Sequence, residues 1–287
     1  MAFSYDTLMN WPFTTVEQSY SVKDSIIYAL GVGLGQDPTD MGQLPFVFEE
    51  TDFTPVPTMA AVLATPGFWV RDPGTGVDWK KVLHGEQGIV IHKPLPAAAT
   101  ITATTRVVDV IDKGADKGAL IFVERDLINK DTGDMHATLS STIFARGNGG
   151  FGGPSGAQPP LARAPSRAPD KVWDFTTIPQ LALLYRLSGD PNPLHADPTV
   201  AAVAGFPAPI LHGLCSLGVA GHAVLRSYCD YDVNRFKSLK LRFSAPVFPG
   251  ETLRTEMWKD ENTVSFRTLA VERDVVVLNN GVVEISG

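Results

Sequence analysis

Residues Leu211 to Cys229 read Leu-His-Gly-Leu-Cys-Ser-Leu-Gly-Val-Ala-Gly-His-Ala-Val-Leu-Arg-Ser-Tyr-Cys. Leu211, Leu214, Gly218, Gly221 with His222, Leu225 and Cys229 recur at helical spacing, and apolar residues occupy nearly every side of that helix. A helix without a polar face is a buried one. Gly213, Gly218 and Gly221 each cost roughly 1 kcal/mol of helix stability relative to Ala, so they mark places where another backbone or a ligand comes close. Beyond this segment the period drops to two. Leu239, Leu241 and Phe243 alternate with Lys240, Arg242 and Ser244, the pattern of a half-buried strand. Thr252 to Trp258, Thr263 to Val271 and Val275 to Ile285 are also strand-like, broken by Lys259-Asp260-Glu261-Asn262 and by Asn279-Asn280-Gly281. A buried helix followed by an antiparallel sheet is an α+β unit.

Working back from this unit, Thr177-Ile178-Pro179-Gln180 has the form of a capping box, and Ile178, Leu181, Ala182 and Tyr185 continue it at helical spacing up to a stop at Gly189. Asp190 to Pro209 is rich in Pro, Asp and Asn and reads as a long irregular loop; loops of that length are usually functional. Further upstream, Gly147 to Asp170 is dominated by Gly, Pro, Ser and Ala, the composition of a linker. It divides the chain into residues 1–146, the linker 147–170, and residues 171–287. The two outer parts share strings in the same order. Ser25-Ile26-Ile27-Tyr28-Ala29-Leu30-Gly31, later reaching Asp37-Pro38, parallels Leu183 to Pro191; Ile89 to Pro96 parallels Leu239 to Pro249. Duplication of one helix-and-strands unit is the simplest account, with chance similarity of short apolar strings as the alternative.

Chemistry concentrates in Gly189-Asp190-Pro191-Asn192-Pro193-Leu194-His195. A carboxylate, an amide and an imidazole fall within six residues, on a loop stiffened by two prolines. Asp and His together can share acid–base work, because imidazole changes charge near neutral pH. Asn orients a water without usefully exchanging a proton. Taken alone, the same residues also fit an Asx-type turn of no chemical role. Pro207-Ala208-Pro209-Ile210-Leu211-His212-Gly213 then runs into the buried helix. The first N–H groups of a helix lack internal partners and favour negative charge, so the bare N–H of Gly213 is a prospective oxyanion donor.

Gly189 to His195, followed by Ala204-Gly205-Phe206 and Pro209-Ile210-Leu211-His212-Gly213, resembles the signature of the MaoC-like hydratases, the hydratase 2 enzymes. The whole chain is similar to the hydratase portion of the peroxisomal multifunctional enzyme type 2 family; His84-Gly85-Glu86-Gln87, Lys240-Leu241-Arg242-Phe243 and Pro249-Gly250-Glu251-Thr252-Leu253 extend the match. The resemblance implies a double hot-dog fold, each unit a long helix wrapped by an antiparallel sheet. It implies that only the second unit keeps the catalytic loop, and Gly33-Leu34-Gly35-Gln36-Asp37-Pro38 indeed has no Asn-Pro-Leu-His after it. The first unit would make room for the acyl chain. By the same resemblance, Asp190 and His195 are the catalytic pair for (R)-specific hydration of a trans-2-enoyl-CoA, Asn192 fixes the water, and the Gly213 N–H donates to the thioester oxygen. His84, Gly85, Lys113 and Phe243 match positions lining the acyl-CoA site. Arg186, Pro191, Pro193 and Leu194 flank the catalytic groups and join the candidate substrate-binding set. Lys240 and Arg242 share one strand face and are candidates for CoA phosphates, a solvated strand face being the alternative. Phe46, Phe48, Phe53, Met59, Phe68 and Trp69 are candidates for a tail pocket, though as apolar residues they read first as core.

The remaining composition narrows the setting. The chain has 287 residues, 44% hydrophobic and 19% charged, with net charge −7, and no basic cluster of the kind nucleic-acid binding needs. No apolar run approaches the ~20 residues that cross a bilayer, and no secretory or peroxisomal address is visible. Cys215 and Cys229 lie in an apolar stretch as free thiols, so a reducing cytoplasm is the expected setting. The six histidines show no metal-ligand spacing, and Gly31-Val32-Gly33-Leu34-Gly35 follows a helix-like stretch with the wrong spacing for a dinucleotide fingerprint. Neither cofactor nor metal is expected, CoA being part of the substrate; a homodimer is. Hot-dog folds also serve acyl-CoA thioesterases and acyl-binding proteins, the two rival functions.

Overall fold

The computed structural model describes residues 2–156 and 162–287; residues 157–161 of the expected linker lie outside the described part. Ten strands form one sheet. In chain order they are β1 (Val16–Tyr20), β2 (Val82–Ile91), β3 (Ala99–Asp112), β4 (Ala119–Asn129), β5 (Met135–Ala145), β6 (Lys171–Thr176), β7 (Phe236–Phe243), β8 (Thr252–Asp260), β9 (Thr263–Ala270) and β10 (Val275–Ile285). The α-helices are α1 (Tyr5–Met9), α2 (Val22–Gly31), α3 (Leu44–Val47), α4 (Leu181–Tyr185), α5 (Pro198–Val203) and α6 (Gly213–Tyr228). None is long and apolar enough to cross a membrane.

The spatial order of the strands is β1-β3-β4-β5-β2-β7-β10-β9-β8-β6. Numbered within each half, both halves run first-third-fourth-fifth-second inward to the middle, where β2 and β7 pair antiparallel from Glu86↔Arg242 to Val90↔Ser238. The same connectivity twice over is what duplication predicts. In each half a short strand, β1 before α2 or β6 before α4, precedes the helix, an element absent from the helix-then-strands expectation.

Helix α6 forms as its sequence requires and is buried along Cys215 to Leu225. It packs on β6, β7, β8 and β10, and its glycines mark close approaches. A Cβ at Gly218 would stand 2.4 Å from Val32, just past α2. That contact seats the C-terminal end of α2 against α6, with Cys215 Sγ donating to Gly31 O and His222 Nδ1 to Val32 O. Cys215 and Cys229 are buried free thiols. The principal core joins both halves, from Ile89, Ile101 and Leu127 to Leu217, Leu253 and Phe266. A smaller cluster under α1 holds Leu8, Val70, Ile121 and Val123.

Three local expectations are corrected. The capping box at Thr177 does not form: Thr177 Oγ1 donates to Glu251 O and accepts from Gly250 N, both 2.8 Å away, and α4 begins after Gln180 without a side-chain cap. The stretch 190–209 is not irregular throughout. A 3₁₀ turn spans Pro193–His195, capped by Asn192, and Asp197 caps α5 with Pro198 in its first turn. Asn279 to Gly281 does not break β10 but is a bulge within it, where a Gly281 Cβ would stand 2.5 Å from the Phe266 ring.

Candidate active site

The loop after α4 is built by its own side chains. Asp190 Oδ1 accepts the Asn192 N–H and Asn192 Oδ1 accepts the Leu194 N–H, each at 3.1 Å. These two short loops turn the chain so that Pro191 and Pro193 face solvent while His195 is buried. Asn192 is exposed and its oxygen is committed to the turn, which leaves only its amide nitrogen for a ligand. Leu194 is half-buried.

His195 Nδ1 lies 2.8 Å from Ile210 O. A carbonyl only accepts, so Nδ1 carries the hydrogen and Nε2 keeps a lone pair in the neutral ring. Burial depresses the basicity of His195, outweighing that hydrogen bond and the Asp190 charge. The imidazole is therefore neutral at neutral pH and free to take a proton. His212, the residue before α6, donates Nε2–H to Asp190 O at 3.2 Å. Its ring stacks on that of His195 with centroids 3.7 Å apart and planes 25° apart, and Tyr185 packs at 5.2 Å from it. Burial first, and the His195 ring second, hold His212 neutral as well. The sequence placed His212 beside the helix start but gave it no role; nothing in local spacing announces that it will stack on a histidine 17 positions away.

Ring nitrogens of His195 and His212 and an Asp190 oxygen lie within 4.8 Å of one another. Each ring spends one nitrogen on a backbone carbonyl, which leaves a lone pair on Nε2 of His195 and on Nδ1 of His212. The set is suited to holding a small polar molecule between carboxylate and imidazole.

Gly213 opens α6, and His212 makes no side-chain cap. The first N–H groups thus stay available, at the positive end of the longest helix in the described residues. A Cβ at Gly213 would stand 3.1 Å from the Phe243 ring, so a larger residue there would press that ring back by a few tenths of an ångström. Phe243 in turn lies 4.7 Å from His84, ring to ring. The β2–β5 register shifts between His84 and Glu86, a bulge at Gly85 that re-aims His84 toward the second half. His84, Gly85, Phe243 and Gly213 are in this way joined into one wall.

The other expected ligands fare differently. Arg186, one turn before the loop, has a buried Nε without a partner. Lys113 sits in the β3–β4 turn and Lys240 is exposed on β7; neither makes a side-chain hydrogen bond to the catalytic loop among the described residues. The Arg242 guanidinium bonds Glu86 Oε1 at 2.7 and 3.2 Å across the β2–β7 seam. An alternation pattern shows which residues share a face but not what the neighbouring strand sets beside them.

A cavity of about 240 Å³ starts at His84 and Leu214 and runs into the first half past Phe68, Trp69, Val123 and Leu139. Of the tail-pocket candidates, Phe68 and Trp69 line it. Phe46 and Met59 are core and Phe48 is exposed.

Comparison with known proteins places the chain. Residues 160–281 match the MaoC like domain and residues 18–147 the MFE-2 hydratase 2 N-terminal domain. "Enoyl-CoA hydratase 2, peroxisomal" of Arabidopsis thaliana is 39% identical over 300 residues, covering 99% of this chain and 96% of that one. "Peroxisomal multifunctional enzyme type 2" of Mus musculus is 40% identical over 275 residues, 93% of this chain but 36% of that protein; the chain spans about a third of that relative's length. The crystal structure of a MaoC-like dehydratase from Phytophthora Capsici superposes with a TM-score of 0.86 at 36% identity, covering 98% of both chains. On sequence, on topology and over nearly its whole length, the chain belongs to the MaoC-like hydratase 2 family, with its double hot-dog fold.

Proposed function

We propose that this protein is an enoyl-CoA hydratase 2, adding water reversibly across the trans-2 double bond of an enoyl-CoA thioester to give the (R)-3-hydroxyacyl-CoA. One observation carries the reading: Asp190 and a neutral His195 converge beside a helix N-terminus that a thioester oxygen can approach at Gly213.

In this reading the water sits between the Asp190 carboxylate and His195 Nε2. As its oxygen bonds C3, one proton leaves it for the pair, and one proton passes from the pair to C2 on the same face. The pair ends as it began, and one water has been added. Negative charge moves to the thioester oxygen as C2 becomes enolate-like; a fixed backbone donor there is worth about 3 kcal/mol of barrier. Residues 171–287 supply these groups, and residues 1–146 supply the cavity for the acyl chain. The chemistry asks only for proton transfer and enolate stabilisation, so no cofactor is invoked. A cytoplasmic setting and a homodimer are further proposals, checked by cell fractionation and by sedimentation equilibrium.

The test is incubation with trans-2-enoyl-CoAs from C4 to C16, following loss of the conjugated thioester and the chirality of the product. Formation of the (R) alcohol supports the reading. Release of free CoA thiol without a hydroxyacyl product would mark a thioesterase instead.

A further inference from the structure

Strand β4 turns Ala119, Ile121, Val123, Arg125 and Leu127 to the inner face of the sheet. Ile121 and Val123 belong to the small cluster under α1, and Leu127 to the principal core. Arg125 stands between the two, on the wall of the cavity that begins at His84. A guanidinium is the residue type least expected there.

Its surroundings leave it incompletely matched. Arg125 is 9% exposed. One amino group donates to Ala61 O at 3.0 Å, while Nε has no partner. It forms no ion pair among the described residues. Glu124, which also borders the cavity, is engaged by Arg106. Directly across the ladder from Arg125 is Thr105, whose hydroxyl is buried, borders the same cavity and lacks a partner as well. Burial without a counter-ion pushes the guanidinium down to about 10, which leaves it cationic at neutral pH. An uncompensated buried charge is expensive, and two buried donors without partners, on neighbouring residues that line one largely apolar cavity, point to an acceptor that arrives with a ligand.

We propose that the acyl pocket is built for a chain carrying a carboxylate at its far end, the mono-CoA thioester of an unsaturated dicarboxylic acid, with Arg125 and Thr105 binding that carboxylate. The inference rests on the hydratase reading for the position of the thioester. Sheet register sets the reach. His84 pairs with Ile143, Ile143 with Ile121, and Arg125 lies four residues further along β4. That is roughly 13 Å along the strands and about 10 Å across them. An extended chain advances about 1.2 Å per bond, so with the arginine side chain closing part of the gap an acid of about ten carbons fits. A methyl-terminated chain fills the same apolar walls but leaves both donors unmatched.

The experiment compares trans-2-decenoyl-CoA with its ω-carboxy counterpart as substrates, and decanoyl-CoA with the mono-CoA thioester of decanedioic acid as calorimetric ligands. The full chain should favour the carboxylate by roughly tenfold or more in both kcat/KM and affinity, the worth of one charge-assisted hydrogen bond in a dry site. In Arg125→Met the preference should collapse to near unity or invert; Arg125→Gln, which keeps a buried donor, serves if the methionine variant does not fold. Equal or weaker binding of the carboxylate by the unaltered chain would overturn the proposal. A binding preference with no hydration of either substrate would instead overturn the hydratase reading and leave the carboxylate site standing.

Discussion

The imidazole of His195 lies face to face with that of His212, centroids 3.7 Å apart, and each ring gives its one N–H to a backbone carbonyl, of Ile210 and Asp190 respectively. Two cations cannot share that spacing in a buried site, so the stack favours two neutral rings. For His195 the neutral form persists below the ordinary imidazole range. The acid limb of kcat/KM is therefore expected below pH 6.5, the ordinary histidine value. His212→Ala opens one face of the His195 ring to solvent, relieving the burial that depresses it, and should move that limb upward; an unchanged profile would show that the stack does not set the protonation of His195.

Removing either partner of the acid–base pair should stop turnover without unfolding the chain. Asp190→Asn keeps an oxygen to accept the Asn192 N–H, so the loop survives while the carboxylate is lost. A fall of at least about a hundredfold in kcat is expected for Asp190→Asn and for His195→Ala, with circular dichroism unchanged. Near-normal crotonyl-CoA hydration by both variants would remove the pair from the mechanism.

Gly213→Ala separates stability from activity. Alanine favours helix by about 1 kcal/mol over glycine, partly offset by the 3.1 Å approach to the Phe243 ring. Thermal stability should change little, while a methyl group at the thioester approach should lower kcat/KM by about tenfold to a hundredfold. Equal activity would place the oxyanion donor elsewhere.

Much of this was legible in the sequence, and the failures have causes. Helix α6 and strands β7 to β9 could be placed because hydrophobic periodicity is local and their burial is strong. The catalytic loop was found because its residues are contiguous. Thr177 was misread because its partners, Glu251 and Gly250, lie more than 70 positions away and outcompete a local cap. The ion pair of Arg242 was hidden for the same reason, its partner Glu86 standing on a strand of the other half. Arg125 left a signal that went unused: Val123 and Leu127 flank it at a spacing of two, which already puts a cation on the inward face.

The Arg242–Glu86 pair makes a stability prediction of its own. Glu86 is almost fully buried and Arg242 is its only ion-pair partner among the described residues. Arg242→Met leaves the buried carboxylate with only the Thr142 hydroxyl, 3.5 Å away, and should destabilise the chain by about 3 kcal/mol; the double variant Arg242→Met with Glu86→Gln should recover part of that. Denaturant titrations of the unaltered chain, Arg242→Met, Glu86→Gln and the double variant check it, and an additive double variant would deny the coupling.

Acid should loosen the fold before the carboxylates titrate. His222 is buried and held neutral, its basicity lowered to about 4 by desolvation. Its folded value lies below the unfolded one, so the unfolded chain binds the proton first and stability falls as pH drops from about 6.5 toward 4. This one group should cost about 2 kcal/mol at pH 5. Thermal melts at pH 7, 6 and 5 should show a declining Tm, and a flat Tm across that range would contradict the burial of neutral histidine.

The most direct test of the single-water account is hydration of a trans-2-enoyl-CoA in D2O, followed by assignment of both new stereocentres. If Asp190 and His195 work on one water held against one face of the double bond, deuterium at C2 and hydroxyl at C3 arrive on the same face, and C3 is (R). Anti addition, or an (S) alcohol, would contradict it.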